Sequence, residues 1–172
     1  VYTFGIKNLP PITDTDFLPN VNDYIVKVEF ELASVTDRLR NTTTTYLTTW
    51  GKLNDEFMRD GSFGKYIIAS EKESKKILGG LKVDGMPDAE KIKTITDYVK
   101  RNYIWDGENA KFSSKRLAAF MKSGTGNSSD INLFLIGLLQ GAGFETTPVA
   151  VSTIDHGKIY KKYPFTQFLN YV

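Results

Sequence analysis

The chain has 172 residues with 22 basic and 20 acidic side chains, a formal net charge of +2. That balance offers no concentrated basic face for phosphate, so nucleic acid is not an expected partner. There is no cysteine and a single histidine, His156, which removes disulfides and thiol nucleophiles and leaves too few ligands for a conventional zinc site.

No cofactor is expected. The apolar and aromatic content (41% and 13%) suffices for one domain of common size, or for a small domain with an appendage. No window reaches the roughly 18 apolar residues of a membrane span. The sequence opens at Val1 without a signal-peptide core and closes at Val172 inside an apolar run. Both ends read as cuts through a longer protein.

The first elements read as β. Tyr2, Phe4 and Ile6 alternate with polar residues, and a turn-rich stretch follows with Pro10, Pro11, Asp14, Asp16 and Pro19. Tyr24, Val26, Val28, Phe30 and Leu32 alternate with Lys27, Glu29 and Glu31, the period-two pattern of a strand with one wet face. The tract from Asn41 to Thr45 is either a linker or a helix cap.

From about Thr45 the period becomes helical. Tyr46, Leu47, Trp50, Leu53 and Phe57 share a face, and Asp60-Gly61 ends the segment. A second helix is predicted from Phe63 to Leu78, stopped by Gly79-Gly80. Pro87-Asp88 opens a third, with Ile92, Ile95 and Val99 as its buried stripe and an end near Tyr103-Ile104-Trp105. A short helix is predicted from Ser114 to Met121, capped by Ser113 or Ser114, before a loop over 122–126.

Ile131, Leu133, Phe134, Leu135, Ile136, Leu138 and Leu139 cover nearly every direction around a helix, which places it in the middle of a domain. Gly141 and Gly143 end it. Pro148 to Val151 reads as a core strand, Asp155-His156-Gly157 as a turn and Gln167 to Val172 as a returning strand. The lysines of 72–76 and 158–162 are most simply solvated faces.

The run Gly126-Asn127-Ser128-Ser129-Asp130-Ile131-Asn132, the helix tail Leu138 to Phe144 and the strand after it resemble the transglutaminase-like superfamily. The resemblance covers roughly Trp50 to Val172. It implies an α+β, papain-like core with a central buried helix packed on an antiparallel sheet. It is nearest to a bacterial branch in which a β-sandwich precedes the core. Residues 1–40 would then be the last strands of that upstream domain, and 41–172 the core, cut short at its C-terminus. The resemblance also suggests an exported or cell-envelope protein.

In that family a cysteine sits at the helix start, where free N–H groups and the helix dipole favour thiolate and an oxyanion. A histidine on a following strand acts as base. The cysteine position falls on Ser128. The histidine position, in Leu169-Asn170-Tyr171-Val172, falls on Tyr171. The third position would lie past Val172.

The resemblance therefore implies a degenerate, non-catalytic module with a binding or scaffolding role for peptide or glycan, flanked by other domains of its own chain. Candidate binding residues are Trp105, Asn127, Ser128, Ser129 and Tyr171. The bland reading of Ser128 or Ser129 is a helix cap, and that of Trp105 with Tyr103 is simple packing. Asn132, an amide in an apolar helix, needs partners and is expected to tie the helix to an adjacent strand. The alternative is a serine-based hydrolase or acyltransferase pairing Ser128 with His156. The bland reading of His156 is an exposed turn residue. A third possibility is a purely architectural spacer that binds nothing.

Overall fold

The structure, a computed structural model, describes residues 3–9, 11, 20–28, 30, 32–46 and 49–172. Of the sequence-based expectations, those on Tyr2, Pro10, Asp14, Asp16, Pro19, Glu29, Glu31 and Leu47 lie outside the described residues.

Helix α1 (Trp50–Arg59) starts where the Thr49 hydroxyl accepts the Lys52 N–H at 3.2 Å, a side-chain cap on an otherwise orphan donor. Leu53 and Phe57, four apart, are its buried residues. Asp60 ends it, as the Asp-Gly pair predicts. Helix α2 (Gly64–Leu81) buries Tyr66, Ile67, Ser70, Ser74 and Leu78 at helical spacing.

Contrary to expectation, α2 runs straight through Gly79-Gly80 and stops at Lys82, which holds the left-handed conformation with φ 53°. A glycine pair weakens a helix by roughly 1 kcal/mol per residue relative to alanine, which packing of the earlier turns overrides. Helix α3 (Asp88–Asn102) follows Pro87, with Asp88 and Glu90 in its first turn and Lys100 and Arg101 in its last. Those charges complement the helix dipole favourably at both ends. Ile95 and Val99 are buried as predicted, but Ile92 is 41% exposed.

Two short strands follow in parallel: β3 (Ile104–Trp105) pairs with β4 (Thr125–Gly126). Between them α4 (Leu117–Ser123) carries the fully buried Phe120. It begins later than the predicted Ser114, because the Ser114 hydroxyl and the Lys115 N–H are both committed to Asp130 (2.7 and 3.3 Å).

Helix α5 (Ser128–Gly141) is the central helix. Leu133, Phe134 and Leu138 have no exposed surface, and α2 lies along it. Tyr103, Phe120 and Phe134 form an aromatic cluster with ring centroids 4.7 to 5.5 Å apart. Offset and edge-on packing of this kind adds to the burial of each ring.

The molecule is thus α+β, as expected, but its strands lie elsewhere. The described residues of 3–9 and 24–28 form no strand. Alternation supplies a face, but a strand also needs a partner for its backbone. Contacts of the 20–28 segment with the rest of the molecule include Asn20 Nδ2, which donates to the Asp155 carbonyl (2.8 Å), and Asp23, which accepts the Lys158 N–H (2.9 Å). The threonine tract instead forms a strand, β2 (Thr42–Thr45), that pairs with β1 (Ser34–Asp37) as an exposed antiparallel hairpin over 34–45.

The predicted strands at 148–151 and 167–172 contract to a single antiparallel bridge, Val151 with Tyr171. A 3-10 turn at Thr166–Phe168 replaces the start of the second. Lys111 Nζ takes the carbonyls of Thr166 and Leu169 (2.6 and 2.9 Å) and so diverts this backbone from a ladder.

Candidate functional site

The start of α5 is built by a capping box. The cap is Asn127, one residue before the two serines that sequence preference favoured. Its side-chain oxygen accepts the Asp130 N–H (2.8 Å), and the Asp130 carboxylate accepts the Asn127 N–H (3.0 Å). Two orphan donors are satisfied reciprocally. Asp130 is wholly buried and also accepts from Ser114 and Lys115. This fixed negative charge sits against the positive end of the helix dipole. The buried Tyr66 hydroxyl has no hydrogen-bond partner among the described residues. Burial first, and then the Asp130 charge, pushes its pKa above the ordinary tyrosine range.

The loop between β3 and α4 closes over this helix start. Ser128 N–H donates to the Glu108 carbonyl (3.1 Å). Ser128 Oγ accepts the Ala110 N–H (2.9 Å) and donates to the Ala110 carbonyl (3.1 Å). The Ser129 hydroxyl donates to the same carbonyl at 2.6 Å. The Asn127 amide donates to the Phe112 carbonyl (3.0 Å). Asn127, Ser128 and Ser129 are all buried, so three of the candidate binding residues are structural first. Lys111, in the same loop, ties it to the C-terminal segment, and burial lowers its pKa.

Ser128 still reaches a cleft of about 290 Å³, with Trp105, Asn109, Ile131, Asn132 and Tyr171 as the other lining residues. Trp105 is half exposed (52%), and its indole N–H donates to the Glu108 carbonyl (2.9 Å). Asn132 donates to the Tyr171 hydroxyl (3.2 Å) and to the Val172 carbonyl. It thus ties the helix to the neighbouring extended segment, as an amide in an apolar helix must. The structure therefore brings Trp105, Ser128 and Tyr171 together at one cleft.

His156 lies elsewhere. It is exposed, its Nε2 is 2.7 Å from the Gln167 carbonyl, and it lines a separate cleft with Asp23, Lys158 and Tyr160. The Asp155 carboxyl is held below the ordinary carboxylate range chiefly by a hydrogen bond from Thr153, with the His156 charge a lesser influence. No imidazole lines the Ser128 cleft.

Asn109 is not singled out by the sequence, and Ile131 stands out there only as part of the apolar helix and the family run, not as a binding residue. The Glu108–Ala110 latch is not singled out either, as it has no periodicity. The turn-forming Asp106-Gly107 pair marks that a loop is there but not where it lands.

Among the described residues no helix is long and apolar enough to cross a membrane, and no three His, Asp or Glu side chains form a metal-binding group. No curated protein and no solved structure gives a significant match to this chain. The sequence profile of the Transglutaminase-like superfamily matches residues 75–168. That span includes α3, α4, the latch and the whole of α5 with Ser128, and it ends before Tyr171. With more than half of its length matched and the apolar helix at its centre, the chain belongs to the transglutaminase-like superfamily.

Proposed function

We propose that this chain is a non-catalytic transglutaminase-like module of a larger bacterial protein, and that the cleft between Trp105, Ser128 and Tyr171 binds a peptide or a glycan. In this reading residues 1–40 belong to a neighbouring domain and 41–172 to the core. The observation that carries the reading is the saturation of Ser128. Its amide, where a family nucleophile would help hold an oxyanion, is bonded to Glu108, and its hydroxyl is bonded twice to Ala110.

Freeing that hydroxyl would forfeit two hydrogen bonds of about 1 kcal/mol each, a penalty of roughly thirty-fold in rate. The missing base counts for more. A positioned general base contributes about 10²–10⁴-fold, and the cleft is lined by an indole, two amides, a hydroxyl, an isoleucine and a phenol. Phenols as a class are neutral near pH 7 and do not serve as that base unaided. An aromatic edge beside amides is, by contrast, a usual way to hold a peptide or sugar.

Incubation with a serine-reactive fluorophosphonate, and assays on amide and ester panels, test the proposal. Neither labelling nor turnover is expected, and Ser128→Ala should match the parent. Hydrolysis or acyl transfer that disappears in Ser128→Ala would overturn it.

A further inference from the structure

A second cleft, sharing no lining residue with the Ser128 cleft, lies where the segment carrying Asp23 meets the turn carrying His156. Its volume is about 420 Å³, within the range of about 300–1,000 Å³ usual for small-molecule sites. Hydrogen bonds pin its walls together. The Asp23 carboxylate accepts the Lys158 N–H (2.9 Å), and His156 Nε2 lies 2.7 Å from the Gln167 carbonyl. All four of these residues line the cleft, so it is formed before any ligand arrives.

The lining groups select the ligand. Lys27 and Lys158 set two ammonium groups against the carboxylate of Asp23, a net positive charge that favours an anion. Lys158 Nζ lies 4.8 Å from the Tyr24 ring centroid and pairs with no carboxylate among the described residues. The cleft also holds two acceptors. A carbonyl only accepts, so His156 Nε2 carries the hydrogen, and in the neutral ring Nδ1 is an acceptor. Neither that Nδ1 nor Asp23 Oδ2 bonds to a donor among the described residues. Acceptors call for a ligand that donates, and a phosphate dianion or a peptide side-chain carboxylate has no hydroxyl to offer. The rings of Phe30, Tyr160 and Phe168 add flat apolar walls, with the Tyr160 and Phe168 centroids 5.6 Å apart. Negative charge, hydroxyl donors and a flat apolar face coincide in an acidic sugar.

We infer that this cleft binds a hexuronic acid residue of a glycan. The sugar ring lies against the aromatic walls, its carboxylate pairs with Lys158, and its hydroxyls donate to Asp23 and to His156 Nδ1. The ammonium–carboxylate contact is a charge-assisted hydrogen bond and supplies the largest share of affinity. The hydroxyl contacts supply the choice of a sugar over other anions, because an acceptor covered without a donor opposes binding. The site stands independently of how the Ser128 cleft is used.

His156 is the only histidine of the chain, so its ring signals in a nitrogen-15 NMR spectrum are a single reporter inside the cleft. The probe is digalacturonic acid, at about pH 8, where imidazoles as a class are neutral. A saturable shift of the ring signals is expected. The methyl ester of the same disaccharide keeps every ring hydroxyl and loses the charge, and it should bind roughly ten-fold or more weakly. Lys158→Met keeps the apolar stem, so it should weaken the acid by a similar factor and leave the ester unchanged. Inorganic phosphate and a capped triglutamate should shift the signals far less at equal concentration. No saturable shift, equal binding of acid and ester, or a response to phosphate or triglutamate as strong as to the sugar overturns the inference. Shifts confined to backbone amides around Trp105 and Tyr171 would assign the sugar to the Ser128 cleft, and also overturn it. The acid and ester are compared on the parent protein, so the test decides even where Lys158→Met fails to fold.

Discussion

Two pairs of helix glycines in this molecule have opposite consequences. Near the end of α2, Gly79 and Gly80 are exposed, and a Cβ built on either would meet nothing within 4 Å. In α5 a Cβ on Gly137 would lie 2.4 Å from Ser70 Cβ and 2.7 Å from the Ile67 carbonyl. One on Gly141 would lie 1.8 Å from the Ser74 hydroxyl. The second pair lets α5 approach α2 closely along a face where α2 offers small serines. Those serines turn their hydroxyls back onto their own helix, Ser70 to Tyr66 (2.8 Å) and Ser74 to Glu71 (2.6 Å), so the seam leaves neither hydroxyl unsatisfied. The same residue is a steric requirement in one helix and an uncompensated weakness in the other. The distinction lies in the facing element and not in the local sequence.

The largest effect should come from Gly137→Ala. Its obstacles include the Ile67 carbonyl and the Glu71 amide (2.8 Å), backbone groups that cannot rotate away. Overpacking of this kind typically costs about 1–3 kcal/mol, and the upper end is expected. The urea midpoint should fall with no change in slope. Gly141→Ala should cost less, about 1–2 kcal/mol, because the nearest obstacle is a hydroxyl. Ser74→Ala in the same chain should restore part of that loss. Ser70→Ala should restore little in Gly137→Ala, since the Ser70 Cβ itself is in the way. Equal rescue by both serine changes would mean that the seam yields as a whole and the comparison fails.

The parts of this architecture that could be read in advance are those where one residue type admits one environment. An all-apolar run has to be a buried helix, and α5 is one. A lone amide in it has to find partners, and Asn132 found the C-terminal backbone. The family run from Gly126 to Asn132 located the helix start, and with it Ser128.

What could not be read depends on partners distant in sequence. Asn127, Ser128 and Ser129 are all good caps, and only the loop that bonds the serines decides for Asn127. The strand at 148–151 has the right residues but a single pairing partner. The hairpin over 34–45 formed where a threonine tract could pair with its neighbour, while the better alternation of 24–32 gave no strand among its described residues. In the cleft, Trp105 and Tyr171 were named from sequence because aromatic and family positions stand out. Asn109 and the latch were not, since a polar loop looks alike wherever it lands.

The smallest effects lie at the open end of α2, where stabilisation is expected. Lys82 holds φ 53°, a conformation that costs an ordinary side chain roughly 1 kcal/mol. Lys82→Gly should therefore stabilise by about that amount, less what the added chain freedom takes back. Gly80→Ala removes unfolded-state freedom at a helical position and meets no atom, so it should stabilise by roughly 0.5–1 kcal/mol. Gly79→Ala should do the same, and the two should add. A gain at Gly80 alongside a loss at Gly137, in one protein and by one measurement, separates helix propensity from close approach. If Gly80→Ala were instead destabilising, Gly80 would need an unseen neighbour, and the contrast between the two pairs would dissolve.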